Sequence, residues 1–89
     1  MKVAAEKIEI LNVYILHSNS INKYYVGHTQ NIDNRMDYHN NGFGKYTKKG
    51  IPWRMIWSTD CKDRSEAMKL EKKIKKRGAK RFLEDILGV

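Results

Sequence analysis

The stretch from Ile8 to His28 constrains the fold more than any other part of the chain. Ile8 to His17 is largely β-branched, apolar or aromatic, and Leu11, Val13 and Ile15 alternate with Asn12, Tyr14 and Leu16. A period of two is the signature of a strand, whose successive side chains point to opposite faces. Ser18-Asn19-Ser20-Ile21-Asn22 is rich in turn formers, and Lys23 to His28 (KYYVGH) has the composition of a second strand. Together they read as an antiparallel hairpin. With Ser18–Ile21 as the loop, His17 pairs with Asn22 and Tyr14 stands opposite Tyr25, on the face that also carries Gly27.

The rest of the chain alternates helix signals with one more strand. Asn31 is a good helix N-cap, and the helix it starts runs to about Asn41, where Gly42 can end it. Residues 42–50 form a loop rich in Gly and Lys. Pro52 to Ser58 sets Trp53, Met55 and Trp57 against Arg54 and Ile56, a third strand with proline at its entry. Asp63 and Glu66 make a capping box for a helix from about Arg64 to Arg77, closed by Gly78. Ala79 to Leu87 reads as a short last helix with Phe82, Leu83, Ile86 and Leu87 on one face. The order β-β-α-β-α-α is that of a small α+β domain with an antiparallel sheet. No repeat, low-complexity tract or Pro/Ser-rich linker divides it, so residues 1–89 are expected to form one domain.

Charge separates the two halves. Residues 1–44 hold four basic and four acidic groups; residues 45–89 hold 14 basic and six acidic ones, so the second half carries all of the net +8. Such a distribution suits an anionic partner, with nucleic acid ahead of a membrane surface, although a solvated basic face with no partner has the same composition. The longest apolar run, Val13 to Leu16, is far short of the roughly 20 residues of a bilayer span. Glu6, Lys7 and Glu9 stand where a secretory leader would need its apolar stretch. Cys61 is the only cysteine, which excludes an internal disulfide and a cysteine-based zinc finger. A cytoplasmic domain in a reducing compartment is expected.

Three groups of residues bear on chemistry. On the hairpin, Tyr14, Tyr25 and Gly27 share a face, where two phenols and a bare backbone could admit a phosphate; tyrosine is also common in strands, and Gly27 also suits a bend. On the first helix, Arg35 and His39 are neighbours at i, i+4, with Ile32 and Met36 beside them to anchor that face to the sheet. A guanidinium can clamp a phosphate and an imidazole can move a proton near neutral pH. The alternatives are an Arg35 ion pair with Asp33 or Asp37, and a His39 that is simply half-buried. On the second helix, Glu71 lies within the apolar stripe Ala67, Leu70, Ile74, where a carboxylate needs a metal ion or a cation such as Arg35 as partner. Lys45, Lys48 and Lys49, with Tyr46 among them, and the helix residues Lys72, Lys73 and Lys76 provide basic groups for tracking a nucleic-acid backbone.

Taken in order, Asn12-Val13-Tyr14, Tyr25-Val26-Gly27, Arg35, His39-Asn40, a glycine-rich loop ending in Tyr46-Thr47, Pro52-Trp53, Ser65-Glu66-Ala67 and Leu70-Glu71 resemble the GIY-YIG nuclease domain, in particular its small stand-alone bacterial members. The resemblance covers about residues 11–77. It implies a three-stranded antiparallel sheet flanked by helices, and cleavage of DNA phosphodiester bonds with one divalent metal, Mg²⁺ or Mn²⁺. Carried over by motif, Tyr14 and Tyr25 are the signature tyrosines, with Tyr14 as general base. Gly27 is the signature glycine, Arg35 stabilises charge on the phosphate, and Glu71 is the sole protein ligand of the metal. His39 takes the place of a histidine or tyrosine that contacts the reacting phosphate, and His28 follows the second motif, where a polar or basic residue often stands. Asn12 replaces the first glycine of the motif, and the Pro-x-Tyr-Asn-like element of some relatives is absent, so the resemblance assigns no asparagine role. It leaves no room for the added DNA-binding or zinc-binding domains of larger members.

The expectation is a metal-dependent DNA endonuclease, acting on DNA that includes branched or otherwise structured forms, with no membrane and no small-molecule cofactor. A binding module that grips nucleic acid through the basic second half without cutting is the alternative. A basic protein-interaction domain is a third.

Overall fold

The computed structural model describes residues 10–88. It contains β1 (Leu11–Ser18), β2 (Lys23–Thr29), α1 (Ile32–Asn40), a 3₁₀ turn (Thr47–Gly50), β3 (Trp53–Cys61), α2 (Arg64–Arg77) and α3 (Ala79–Leu87). The strands form one antiparallel sheet in the order β2-β1-β3. Expected and observed elements agree in type and order. The 3₁₀ turn lies inside the segment read as plain loop, and the start of the expected first strand, Ile8 and Glu9, lies outside the described residues. So does most of the Met1–Ile10 stretch that bears on a secretory leader. No helix among the described residues is long and apolar enough to cross a membrane.

The central strand is buried on both sides. Leu11, Val13 and Ile15 face one core with Val26, Ala67, Ile74 and Phe82; Tyr14 and Leu16 face a second with Trp53. The alternation in β1 therefore separates two interiors rather than an interior from water, as happens where helices cover both faces of a sheet. Ile32 and Met36 of α1 pack on the Tyr14 side, as their spacing anticipates, and α2 and α3 pack on the other.

The hairpin register differs from the expected one. Tyr14 pairs with Gly27, Leu16 with Tyr25 and Ser18 with Lys23, so the turn is Asn19–Asn22. Ser18 belongs to the strand because its buried hydroxyl serves the turn, lying 3.0 Å from Ser20 Oγ and accepting from the Ile21 amide at 3.4 Å. Asn22 closes the turn with φ +50°, a left-handed conformation that asparagine tolerates better than most residues. The partner of Tyr14 thus moves by two positions. An even shift keeps every side chain on its face, so Tyr14, Tyr25 and Gly27 still share one.

A β-bulge corrects the reading of β3. Ile15 pairs with Trp57 but Leu16 pairs with Met55, which leaves Ile56 as the extra residue. Trp53, Met55 and Trp57 were expected on one face; the bulge reverses the phase and sends the two tryptophans to opposite cores. Trp53 packs with Tyr14 and Leu16, while Trp57 meets Phe82 edge-on, with ring centroids 5.2 Å apart.

The helix α2 begins as the capping signal requires, with the Asp63 carboxylate accepting from the Glu66 amide at 2.8 Å. Ala67 and Ile74 are fully buried and Leu70 is half-buried. Gly78, at φ +91°, turns the chain into α3, and only glycine adopts such a φ at little cost. In α3 the expected apolar face is only half used: Phe82 and Leu83 pack, whereas Ile86 and Leu87 are 49% and 70% exposed. The α2 stripe yields a stability prediction. Ile74→Ala should cost about 3 kcal/mol through the cavity it opens, and Asp63→Ala about 1 kcal/mol through the lost cap. Urea denaturation followed by tryptophan fluorescence measures both, and equal losses would show that Ile74 is not at the core.

Candidate active site

The site starts from a glycine. A Cβ on Gly27 would sit 2.7 Å from the Tyr14 hydroxyl oxygen and 2.9 Å from its Cζ, both well inside van der Waals contact. Gly27 lies directly across from Tyr14, so the missing side chain is what allows the phenol to lie over the β2 backbone. The Tyr25 ring flanks it, with centroids 6.3 Å apart.

Above this face, α1 presents His39, which is 2% exposed. Its Nε2 is 3.0 Å from the Tyr14 hydroxyl and its Nδ1 is 2.8 Å from the hydroxyl of buried Thr47. Tyr25 packs edge-on against the imidazole at 4.8 Å. Burial raises the Tyr14 phenol well above the ordinary tyrosine value; the adjacent Tyr25 and the charge of Glu71 add to this, and Arg35 works against it. Burial and the Arg35 charge both lower the pKa of His39, which favours a neutral imidazole. Two side chains that this arrangement needs had no assigned role in the sequence reading. Thr47 fixes one imidazole nitrogen. Asn40 locks the start of β3 to α1, accepting from the Trp53 amide at 2.7 Å and donating to its carbonyl at 3.2 Å. Asn40 follows His39 and Thr47 lies in the 3₁₀ turn, and only folding brings either beside its partner.

Arg35 is half-buried, and its guanidinium lies over the Tyr38 ring, 5.1 Å from the centroid. Neither Asp33 nor Asp37 pairs with it: among the described residues the ion pairs are His28–Glu71, Lys75–Glu71 and Arg77–Asp85. Glu71 likewise does not take Arg35 as partner. One carboxylate oxygen lies 2.7 Å from His28 Nδ1 and the other accepts from Lys75 at 2.9 Å. Partial burial opposes its charge, but these two hydrogen bonds outweigh that and hold its pKa below the ordinary glutamate value. Lys75 therefore reaches back one helical turn to Glu71. His28 reaches Glu71 from the sheet face opposite Tyr14, because it alternates with Gly27 along β2.

Among the described residues, no group of three or more His, Cys, Asp or Glu side chains is arranged to hold a metal ion. A lone carboxylate whose oxygens already have partners does not suit an ion held by protein ligands alone. It does suit one such as Mg²⁺, which keeps much of its water and takes further ligands from a substrate phosphate. The remaining basic residues are dispersed. Lys45, Lys48, Lys49, Lys72, Lys73 and Lys76 are all exposed; Lys73 and Lys76 line a groove with Phe82 of α3, whereas Tyr46 lies against Tyr25 with rings 6.0 Å apart.

Comparison with known proteins decides the lineage. The family model described as the GIY-YIG catalytic domain matches residues 11–83. The chain belongs to the GIY-YIG family. Within it, the chain is similar to proteins named UPF0213. That of Bacillus licheniformis is 34% identical over 65 residues, covering 68% of this chain and 67% of the relative. That of Staphylococcus haemolyticus is 39% identical over 64 residues, covering 71% and 77%. A third, from Streptococcus pneumoniae, is 34% identical over 55 residues, and there the match spans only 56% of the relative. No solved structure matches the chain at comparable significance. GIY-YIG membership makes this a protein of a nuclease family, and DNA the supported partner.

Two outcomes follow from the geometry. Gly27→Ala should push the phenol off the β2 backbone and break the Tyr14–His39 hydrogen bond, at a cost of about 1–3 kcal/mol for overpacking. A crystal structure of the variant with Tyr14 in place would refute the steric argument. His39, with its pKa lowered on folding, binds a proton more readily in the unfolded chain. Its contribution to stability is therefore whole above the ordinary histidine value of about 6.5 and declines as pH falls below it. Urea denaturation at pH 7.5 and 5.5 should show a larger acid loss for the parent than for His39→Gln.

Proposed function

We propose that this protein is a divalent-metal-dependent endonuclease that hydrolyses DNA phosphodiester bonds. The observation that carries the reading is the Tyr14 hydroxyl, seated over Gly27 and 3.0 Å from buried His39, whose pKa burial and Arg35 lower. A phenol whose pKa is raised by burial is a poor base by itself, so a proton it takes from water must be passed on. With its own proton on Nδ1, directed at the Thr47 hydroxyl, His39 has Nε2 free to accept from the Tyr14 O–H. The attacking water then gives one proton to the Tyr14 oxygen as the original phenolic proton moves to His39. The tyrosine ends neutral, the imidazole ends charged, and the resulting hydroxide attacks phosphorus.

Arg35 is the group that would neutralise the charge growing on the phosphate, through two parallel hydrogen bonds. Gly27 lets the Tyr14 phenol lie over the β2 backbone, and Tyr25 packs against the imidazole that accepts the proton. Glu71 would hold Mg²⁺ or Mn²⁺, with His28 positioning its carboxylate; the bound ion supplies Lewis-acid stabilisation of the phosphate and the departing oxygen. Lys45, Lys48, Lys49, Lys72, Lys73 and Lys76 are the proposed backbone contacts.

A non-catalytic binding module remains the competing reading, favoured by the engagement of both Glu71 oxygens. Nicking of supercoiled plasmid in Mg²⁺ or Mn²⁺ separates the two. Glu71→Ala and Arg35→Ala should each slow nicking by about 10²-fold or more, and His39→Ala by about 10²-fold. Variants that nick as fast as the parent would overturn the residue assignment. A parent that cleaves no duplex, branched, flapped or single-stranded DNA, yet binds it with steep salt dependence in chelator, would establish the binding module instead.

A further inference from the structure

A cleft of about 590 Å³ opens beside the site, between the end of β2 and the first turns of α1 and α2. Arg35 lines it, and so does Arg64, a residue that neither the motif nor the proton path uses. Around them stand His28, Gln30, Asn34 and Tyr38. No carboxylate lines the cleft, and neither guanidinium enters an ion pair among the described residues. Two arginines on one cleft that no carboxylate lines form a local concentration of positive charge. Arg35 also joins the cleft to the tyrosines, since its charge bears on both Tyr14 and His39.

We infer that this cleft is a second phosphate seat, in which Arg64 grips a phosphodiester of the bound strand near the one facing Tyr14. The inference rests on the reading of the Tyr14–Arg35 region as the place of cleavage. Guanidiniums suit the ligand because they present several N–H groups in a plane matched to phosphate oxygens. The Gln30 and Asn34 amides are further donors, of a kind that binds phosphate and sugar without reading sequence. A free phosphate would gain little here: Arg64 is exposed and Arg35 half-buried, so a small ion would compete with water at both. A strand already held at Tyr14 and along the lysines meets the cleft at high effective concentration, and one more contact then adds to affinity. The ligand is therefore a polynucleotide backbone rather than a mononucleotide or inorganic phosphate.

The test is fluorescence anisotropy of a labelled oligonucleotide of about 12 residues, with the full chain in chelator so that cleavage cannot intervene. Arg64→Ala should weaken binding about ten-fold and reduce the slope of log affinity against log salt by about one. Arg64→Lys should keep the slope while recovering only part of the affinity, because an ammonium lacks the planar fork. Arg81→Ala, on α3, serves as the control and should change neither. A scan with single methylphosphonate linkages should find one position that weakens the parent and has no effect on Arg64→Ala. An Arg64→Ala protein with parental affinity and salt slope would overturn the seat. So would inorganic phosphate that displaces the oligonucleotide at concentrations comparable to its phosphate content. The two readings fail separately: nicking intact with Arg64→Ala unchanged removes the seat alone, whereas Arg64-dependent binding by a parent that never nicks removes the nuclease reading alone.

Discussion

Tyr14 reaches His39 only because Gly27, directly across from it on the edge strand, has no Cβ. Any side chain there would occupy the volume of the phenol, and the ring would have to leave the sheet surface. The position of His39 follows from this, since its imidazole spans the distance between the Tyr14 hydroxyl and Thr47. Thr47 in turn sits in a 3₁₀ turn whose carbonyl accepts from the Trp53 indole at 2.6 Å. One missing methyl thus holds together a hydrogen-bonded chain that crosses a strand, a helix and a turn. No buried side-chain polar atom of the described residues lacks a partner, which is what a low-dielectric site demands if it is to stay ordered.

The sheet brings this chain of contacts close to the charged groups. Because side chains alternate along β2, Gly27 admits the phenol on one face and His28 reaches Glu71 on the other. Arg35 and Glu71, of opposite sign and from different helices, both act on the Tyr14 phenol. Burial outweighs the favourable Arg35 charge, so the tyrosine stays a neutral phenol, while the same burial and the same arginine keep His39 uncharged. An imidazole kept uncharged has a ring nitrogen able to accept a hydrogen bond from the neutral Tyr14 phenol.

The two cores divide the work. The larger, built on β1 with α2 and α3, is apolar and supports the sheet. The smaller, around Tyr14, Leu16 and Trp53, takes in Tyr25, Ile32, Met36 and Ile51, and its Tyr14 hydroxyl is bonded to buried His39. The bulge at Ile56 serves both, since it sends one tryptophan to each side of the sheet. Without it Trp57 would fall on the Tyr14 face and leave Phe82 without its edge-on partner.

Local rules of the chain determined most of the framework. Period-two alternation marked the strands, the Asn31 and Asp63 caps marked the helix starts, and Gly78 marked the break between α2 and α3, because each depends on residues within a few positions of one another. Motif order identified the lineage and singled out Tyr14, Gly27, Arg35, His39 and Glu71 by spacing. The partners of those residues lie far away in sequence, and only the tertiary structure decided them. Glu71 meets His28 across 43 positions and Tyr14 meets His39 across 25. The hairpin register and the bulge were decided the same way, since each depends on which pairing fills two cores at once. Side-chain periodicity in one segment carries no record of the segment it will face, so the sequence marked the candidate residues and packing specified what each of them touches.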